Sequence, residues 1–167
     1  MDSDLLRIFD ALGRARVRYL VVGGVAVVLH GHLRVTADID LVVQLEPGNV
    51  LAATRAFATL GFRPRAPVPL EQFADAGMRA TWISEKGLTV FSLWSPSMPG
   101  TEIDLFVEEP FDFDQAHARA LQADIAGVHI PVAAIDDLVA LKRAAGRPKD
   151  HEDIRALLAL KDANADD

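Results

Sequence analysis

The chain has 167 residues, half of them hydrophobic and a quarter charged, which is enough for one hydrophobic core and normal for a soluble globular domain. It contains no cysteine, which excludes disulfides, thiolate zinc sites and cysteine nucleophiles and fits a reducing compartment. The formal net charge of −7 argues against extended docking on duplex DNA, which needs clustered Lys and Arg.

The N-terminal Met1-Asp2-Ser3-Asp4 has neither the basic start nor the apolar stretch of a signal peptide. The longest apolar run, Tyr19 to Leu29, is interrupted by two glycines and is shorter than the ~20 residues that span a bilayer. The expectation is a cytoplasmic protein without membrane contact.

In chain order, Asp4 to Arg16 carries apolar residues at helical spacing, with Gly13 near its end. Arg18 to Val22 reads as a short strand that stops at Gly23-Gly24, and Val25 to His30 as a helix opening from those glycines. Arg34 to Val43 alternates and then turns apolar, as a strand entering a core does. Asn49 to Leu60 is a helix, and the proline-rich stretch Arg63 to Pro69 a loop. Arg79 to Ser84 and Leu88 to Trp94 read as a hairpin across Glu85-Lys86-Gly87, and Thr101 to Val107 as a strand. Phe113 to Leu121 is helical, 124–132 holds a small extended pair about Gly127, and Ile135 to Ala145 is an amphipathic helix. A last helix spans Asp150 to Leu160, with a frayed tail. No repeat or linker divides the chain. The expectation is one α/β (α+β) domain over residues 1–167: a mixed sheet flanked by helices, with its core at about 18–110 and C-terminal helices at about 134–161.

Chemistry concentrates between Gly23-Gly24 and Asp38-Ile39-Asp40, separated by thirteen residues. Alternate side chains of a strand share a face, so Asp38 and Asp40 point the same way, roughly 6 to 7 Å apart. Converging carboxylates repel unless a cation lies between them. Mg²⁺ is the natural one, being hard, oxygen-seeking and content to complete its shell with triphosphate oxygens. A third acid with similar flanks, Asp104 in Ile103-Asp104-Leu105, would let the set hold two ions about 4 Å apart. In that scheme Asp38 and Asp40 ligate both ions. Asp104 ligates the ion on the nucleophile side and helps take the proton. Gly23 and Gly24, without side chains, let backbone approach a phosphate, and the helix that follows offers unpaired N–H groups. The two halves together make an NTP site.

The Gly-Gly, Asp-Ile-Asp and later Asp104 pattern resembles the polymerase-β-type nucleotidyltransferase superfamily. The longer string from Gly23 to Leu41, with Leu138 to Asp153, resembles its small bacterial branch related to abortive-infection toxins of toxin–antitoxin systems. The resemblance runs from about Tyr19 to Leu158. It implies the nucleotidyltransferase fold, Mg²⁺-dependent transfer of an NMP from an NTP such as ATP, and an acceptor at the end of tRNA. It further suggests Lys142 as a triphosphate ligand. Many members carry Gly-Ser where this chain has Gly23-Gly24, so a serine contact to phosphate is missing here.

Other residues carry two readings. Arg34 and Thr36 share the strand face of the acid pair and would contact phosphate or acceptor and support the loop; otherwise they are a surface arginine and a turn-capping threonine. Lys142 reaches the triphosphate or snorkels to solvent. Asp150 and Asp153 suit the first turn of a helix, while Arg147 and Lys149 are ordinary turn residues or hold an acceptor phosphate. His30, His32, Trp82 and Trp94 read as structural.

Three functions follow as expectations: transfer to RNA, transfer to a small hydroxylated molecule such as an antibiotic, or a nucleotide-binding or antitoxin-like module without turnover. The length leaves little room for a separate small-molecule domain. A homodimer or a cognate antitoxin completing the site is the expected partner arrangement.

Overall fold

The computed structural model describes residues 1–167. Helix α1 (Ser3–Arg14) starts at Asp2, whose carboxylate accepts from the Asp4 N–H at 3.2 Å, and buries Ile8, Phe9 and Leu12. Strand β1 (Tyr19–Val22), buried along its length, runs directly into α2 (Gly23–Leu29). After an irregular segment, β2 (Asp38–Val43) precedes α3 (Pro47–Thr59), capped by Glu46 through the Gly48 and Asn49 N–H groups.

A two-residue strand β3 (Arg63–Pro64), a 3-10 turn (Leu70–Ala74) and α4 (Ala76–Lys86) lead to β4 (Val90–Trp94) and β5 (Glu102–Phe106). The chain ends with α5 (Phe113–Ala118), the pair β6 (Leu121–Ile125) and β7 (Val128–Val132), then α6 (Ile135–Ala145) and α7 (Asp150–Ala165).

One seven-stranded sheet runs in the order β3-β4-β5-β2-β1-β7-β6. It is mixed, because β2 lies parallel to β5 and β1 parallel to β7, while the other neighbours are antiparallel. The inward rows of the central strands, Ile39, Leu41, Ile103, Leu105, Phe91 and Leu93, join the hydrophobic core. Their alternate positions carry the polar residues. No helix is long and apolar enough to cross a membrane.

Four sequence expectations change. The stretch Arg63 to Pro69, read as a loop throughout, begins with an edge strand in which Arg63 and Pro64 pair with Trp94 and Leu93 of β4. Residues 79–84 form a helix rather than the first arm of a hairpin. Asp75 accepts from the Met78 N–H at 3.1 Å and starts the helix, and Trp82 stacks on Phe91 with ring centroids 5.0 Å apart. Gly87, read as a hairpin turn, is the left-handed residue that ends this helix (φ 60°). Strand β2 begins at Asp38, not Arg34. The alternating residues Leu33 and Val35 are 86% and 93% exposed, so their alternation has no core to face. The last helix continues to Ala165, its final turns tied back by Lys161 to Asp136 at 2.7 Å.

Candidate active site

Strand register sets the site. Asp40 on β2 lies opposite Asp104 on β5, and Asp104 lies opposite Ser92 on β4. The three form one row across adjacent strands, on the face away from the buried isoleucines and leucines. Two residues along on the same face, Asp38 lies opposite Glu102. Ser92 Oγ donates to Asp104 Oδ1 at 2.6 Å, which fixes one oxygen of that carboxylate. Ser92 and Glu102 escaped the sequence reading. A polar residue at an alternate position of a strand pairing with Asp104 was their only signal.

The acids are under electrostatic pressure. Burial, then the charges of Asp104 and Asp38, push Asp40 up to about 6; Arg147 and Lys142 pull the other way without prevailing. Asp104 is also raised, chiefly by burial, with the Ser92 hydrogen bond opposing and Asp38 and Glu102 adding to the rise. The side chains share a face but are not drawn onto a common point: no three His, Asp or Glu side chains stand at metal-ligand spacing. The donor set is all oxygen and hard, and burial and the neighbouring carboxylates raise the pKa of Asp40 and Asp104, a charge arrangement that fits Mg²⁺.

Glycine at 23 and 24 has a steric cause. The last residue of β1, Val22, pairs with Asp40, so the next residue turns away against that carboxylate. Gly23 has φ +67°, and a Cβ there would lie 2.1 Å from Asp40 Oδ2. A Cβ on Gly24 would lie 2.6 Å from Thr36 Oγ1 and 3.5 Å from Arg34 Cζ. The irregular segment before β2 therefore folds over the start of α2 and brings Arg34 and Thr36 to the glycine turn. They reach the site by this loop, not along the strand that the sequence suggested. Thr36 Oγ1 also donates to the Asp38 carbonyl at 3.3 Å.

Behind this turn lies an ion network. Lys142 of α6 is buried, 7% exposed at its side chain, with Nζ 3.0 Å from Asp153 Oδ2 and 3.5 Å from Asp150 Oδ1. Asp153 also accepts from Arg34. Arg147 grips Asp150 through Nε (2.8 Å) and a terminal nitrogen (3.2 Å). Burial works against ionisation of Asp150, but the Arg147 hydrogen bond and the Lys142 and Arg147 charges outweigh it and hold its pKa below the usual value. Lys142 therefore does not snorkel to solvent. Asp150 and Asp153 are the structural acids that their position suggested, and Asp153 has the added task of joining Arg34 to Lys142.

No family model and no curated protein matches the chain by sequence. Solved structures do match by shape. The lincosamide antibiotic adenylyltransferase LnuA, in its lincomycin-bound crystal structure, superposes over 96% of this chain and 98% of its own, with a TM-score of 0.64 at 16% identity. ANT(2″)-Ia, in complex with adenylyl-2″-tobramycin, matches over 94% of this chain and 87% of its own, with a TM-score of 0.58 at 16% identity. An antigenic nucleotidyltransferase-like protein from Paracoccidioides brasiliensis matches over 96% and 77%, with a TM-score of 0.51 at 17% identity. The chain has the nucleotidyltransferase fold.

Proposed function

We propose that this protein is a Mg²⁺-dependent nucleotidyltransferase that moves an NMP from an NTP to a hydroxyl acceptor. The observation that carries the reading is the row Asp40–Asp104–Ser92, with Asp38 on the same face, set against a glycine turn that only a residue without a side chain can make. Asp38, Asp40 and Asp104 would hold Mg²⁺, which would supply neutralisation of the triphosphate and activation of the attacking hydroxyl. Asp104, oriented by Ser92, takes the acceptor's proton. Arg34, beside the turn, would orient the triphosphate, and Lys142, held by Asp150 and Asp153, would support it from behind through Asp153. The acceptor oxygen bonds to the α-phosphorus as the bond to pyrophosphate breaks, and the protein's share is positioning and charge stabilisation.

The acceptor is an RNA end, tRNA being the leading case, in a toxin–antitoxin or defence setting. Support comes from the Gly23–Leu41 and Leu138–Asp153 strings, which resemble the abortive-infection branch. A second reading, transfer to a small hydroxylated molecule, is favoured by the shape match to two antibiotic adenylyltransferases. The match over 98% of LnuA also removes the objection that this chain is too short for such an acceptor.

The test supplies each α-labelled NTP with Mg²⁺ to total cellular RNA and, separately, to lincosamides and aminoglycosides, comparing wild type with Asp40→Asn. Label on a tRNA-sized band that falls at least about 10²–10³-fold in the variant supports the first reading. Label on a drug supports the second. Nucleotide binding without label on any acceptor would leave a module without turnover.

A further inference from the structure

Between α6 and α7 lies a cleft of about 600 Å³ lined by Lys142, Arg143, Arg147, His151 and Arg155, with Ile154 its one apolar side chain and no carboxylate on its walls. That composition is unexpected in a chain with 24 acidic and 17 basic residues. Lys142 and Arg147 are held by Asp150 and Asp153, whereas Arg143 and Arg155 are exposed and make no ion pair. His151 and Arg155 are one turn apart on α7 and share a face. The cleft is joined to the glycine turn through neighbours: Arg34, whose Cζ would lie 3.5 Å from a Cβ on Gly24, bonds Asp153, and Asp153 bonds Lys142 on the cleft wall.

We infer that this cleft binds the phosphodiester backbone of a single-stranded nucleic-acid acceptor, an RNA under the function proposed above, on which this inference rests. Guanidinium groups meet phosphate oxygens with paired, charge-assisted hydrogen bonds, and two unpaired arginines are the groups free to make them. The cleft has no Phe, Tyr or Trp, so the grip falls chiefly on the backbone and is tolerant of sequence. A duplex would need a long basic surface, which the net charge of −7 denies. A cationic acceptor such as an aminoglycoside would be repelled from the same walls. The cleft thereby sets an RNA apart from a polycationic small-molecule acceptor.

The experiment measures binding alone. The full chain, without nucleotide, is titrated into a short fluorescein-labelled single-stranded RNA over a range of salt, and anisotropy is read for wild type and for Arg143→Ala/Arg155→Ala. Mg²⁺-ATP binding is measured in parallel by equilibrium dialysis. Both arginines are exposed, so the variant should keep the wild-type melting temperature. We expect RNA affinity to fall about tenfold or more at low salt. The log–log salt slope should shrink by about 1.4, two phosphates at ~0.7 each, while ATP affinity stays within about twofold. If RNA and ATP affinities fall together, the cleft serves the donor triphosphate and the inference is overturned. Unchanged RNA binding in the variant, or none in wild type, overturns it equally. Loss of the proposed function would show elsewhere, as no label transfer despite cleft-dependent RNA binding.

Discussion

Two groups of charges meet near the glycine turn, and they are built on opposite plans. On the strand face, Asp38, Asp40 and Asp104 gather without an ion-pair partner while Glu102 beside them is held by Arg65, and burial together with the neighbouring carboxylates drives the pKa of Asp40 up to about 6. In the network behind it, Asp150 and Asp153 are more deeply buried yet are matched by Lys142, Arg147 and Arg34, and the pKa of Asp150 is driven down. Burial is the largest push on Asp40, whereas at Asp150 the ion partners outweigh the same push. A carboxylate cluster that the fold declines to neutralise destabilises the free protein, and it persists where a cation from outside completes it. The compensated network is already paired within the protein and joins the C-terminal helices to Arg34 beside the turn.

The largest effect should come from breaking the compensated side. Lys142→Met leaves Asp150 to Arg147 and Asp153 to Arg34 without the buried ammonium between them. We expect a loss of about 3 kcal/mol, toward the lower end for a broken buried pair because the arginines remain, read by urea denaturation. Adding Asp153→Asn to that variant should return about 1 kcal/mol or more as a coupling energy. Simple additivity of the two substitutions would show that they are not one network.

Gly23→Ala tests the acid side through sterics. The left-handed backbone and the 2.1 Å approach to Asp40 Oδ2 predict a loss of about 1–3 kcal/mol, with transfer activity falling further than stability as Asp40 is displaced. Gly13→Ala is the control. It lies in α1 with nothing within 4 Å of the added carbon, so it should stabilise by up to about 1 kcal/mol.

The smallest effect, and the one that sets the two groups against each other, is the pH dependence of stability without metal. Asp40 keeps its proton longer folded than unfolded. Its contribution is complete below the ordinary aspartate range near 4 and is lost as pH rises through about 6. Asp150 has the opposite sign, stabilising above its unfolded pKa and losing that contribution as pH falls through its depressed folded value. Melting temperatures from pH 3 to 8 should therefore decline on both sides. Asp40→Asn should flatten the alkaline decline alone, and a profile unchanged by that variant would remove the strain from this residue.

Much of the acid side was legible because strand periodicity is local: Asp38-Ile39-Asp40 and Ile103-Asp104-Leu105 announce which face each acid takes. Pairing β2 parallel to β5 in the register Asp40 to Asp104 is a long-range fact, which no local pattern contains. Ser92 was hidden for the same reason, since its importance comes only from the strand beside it. The ion network was the less legible half. Lys142, Asp150 and Asp153 were readable as charges near a helix boundary, but their burial together depends on how α6 packs on α7. The misread helix at 79–84 arose where one segment, Arg79 to Ser84, supports either period and only its cap at Asp75 and its packing on Phe91 decide.

The most direct test of the central claim, that the strand-face acids are left uncompensated for a metal-bound nucleotide, is a melting comparison of wild type and Asp40→Asn at pH 8. It is run first without metal and then with Mg²⁺ and a non-hydrolysable NTP analogue. Without metal the variant should melt higher than wild type, because one source of repulsion is gone. With Mg²⁺ and nucleotide the order should reverse, since only wild type keeps the full ligand set and gains binding energy on folding. If both proteins respond equally to Mg²⁺ and nucleotide, or the variant melts lower throughout, the carboxylate face is not the cation site and the account fails.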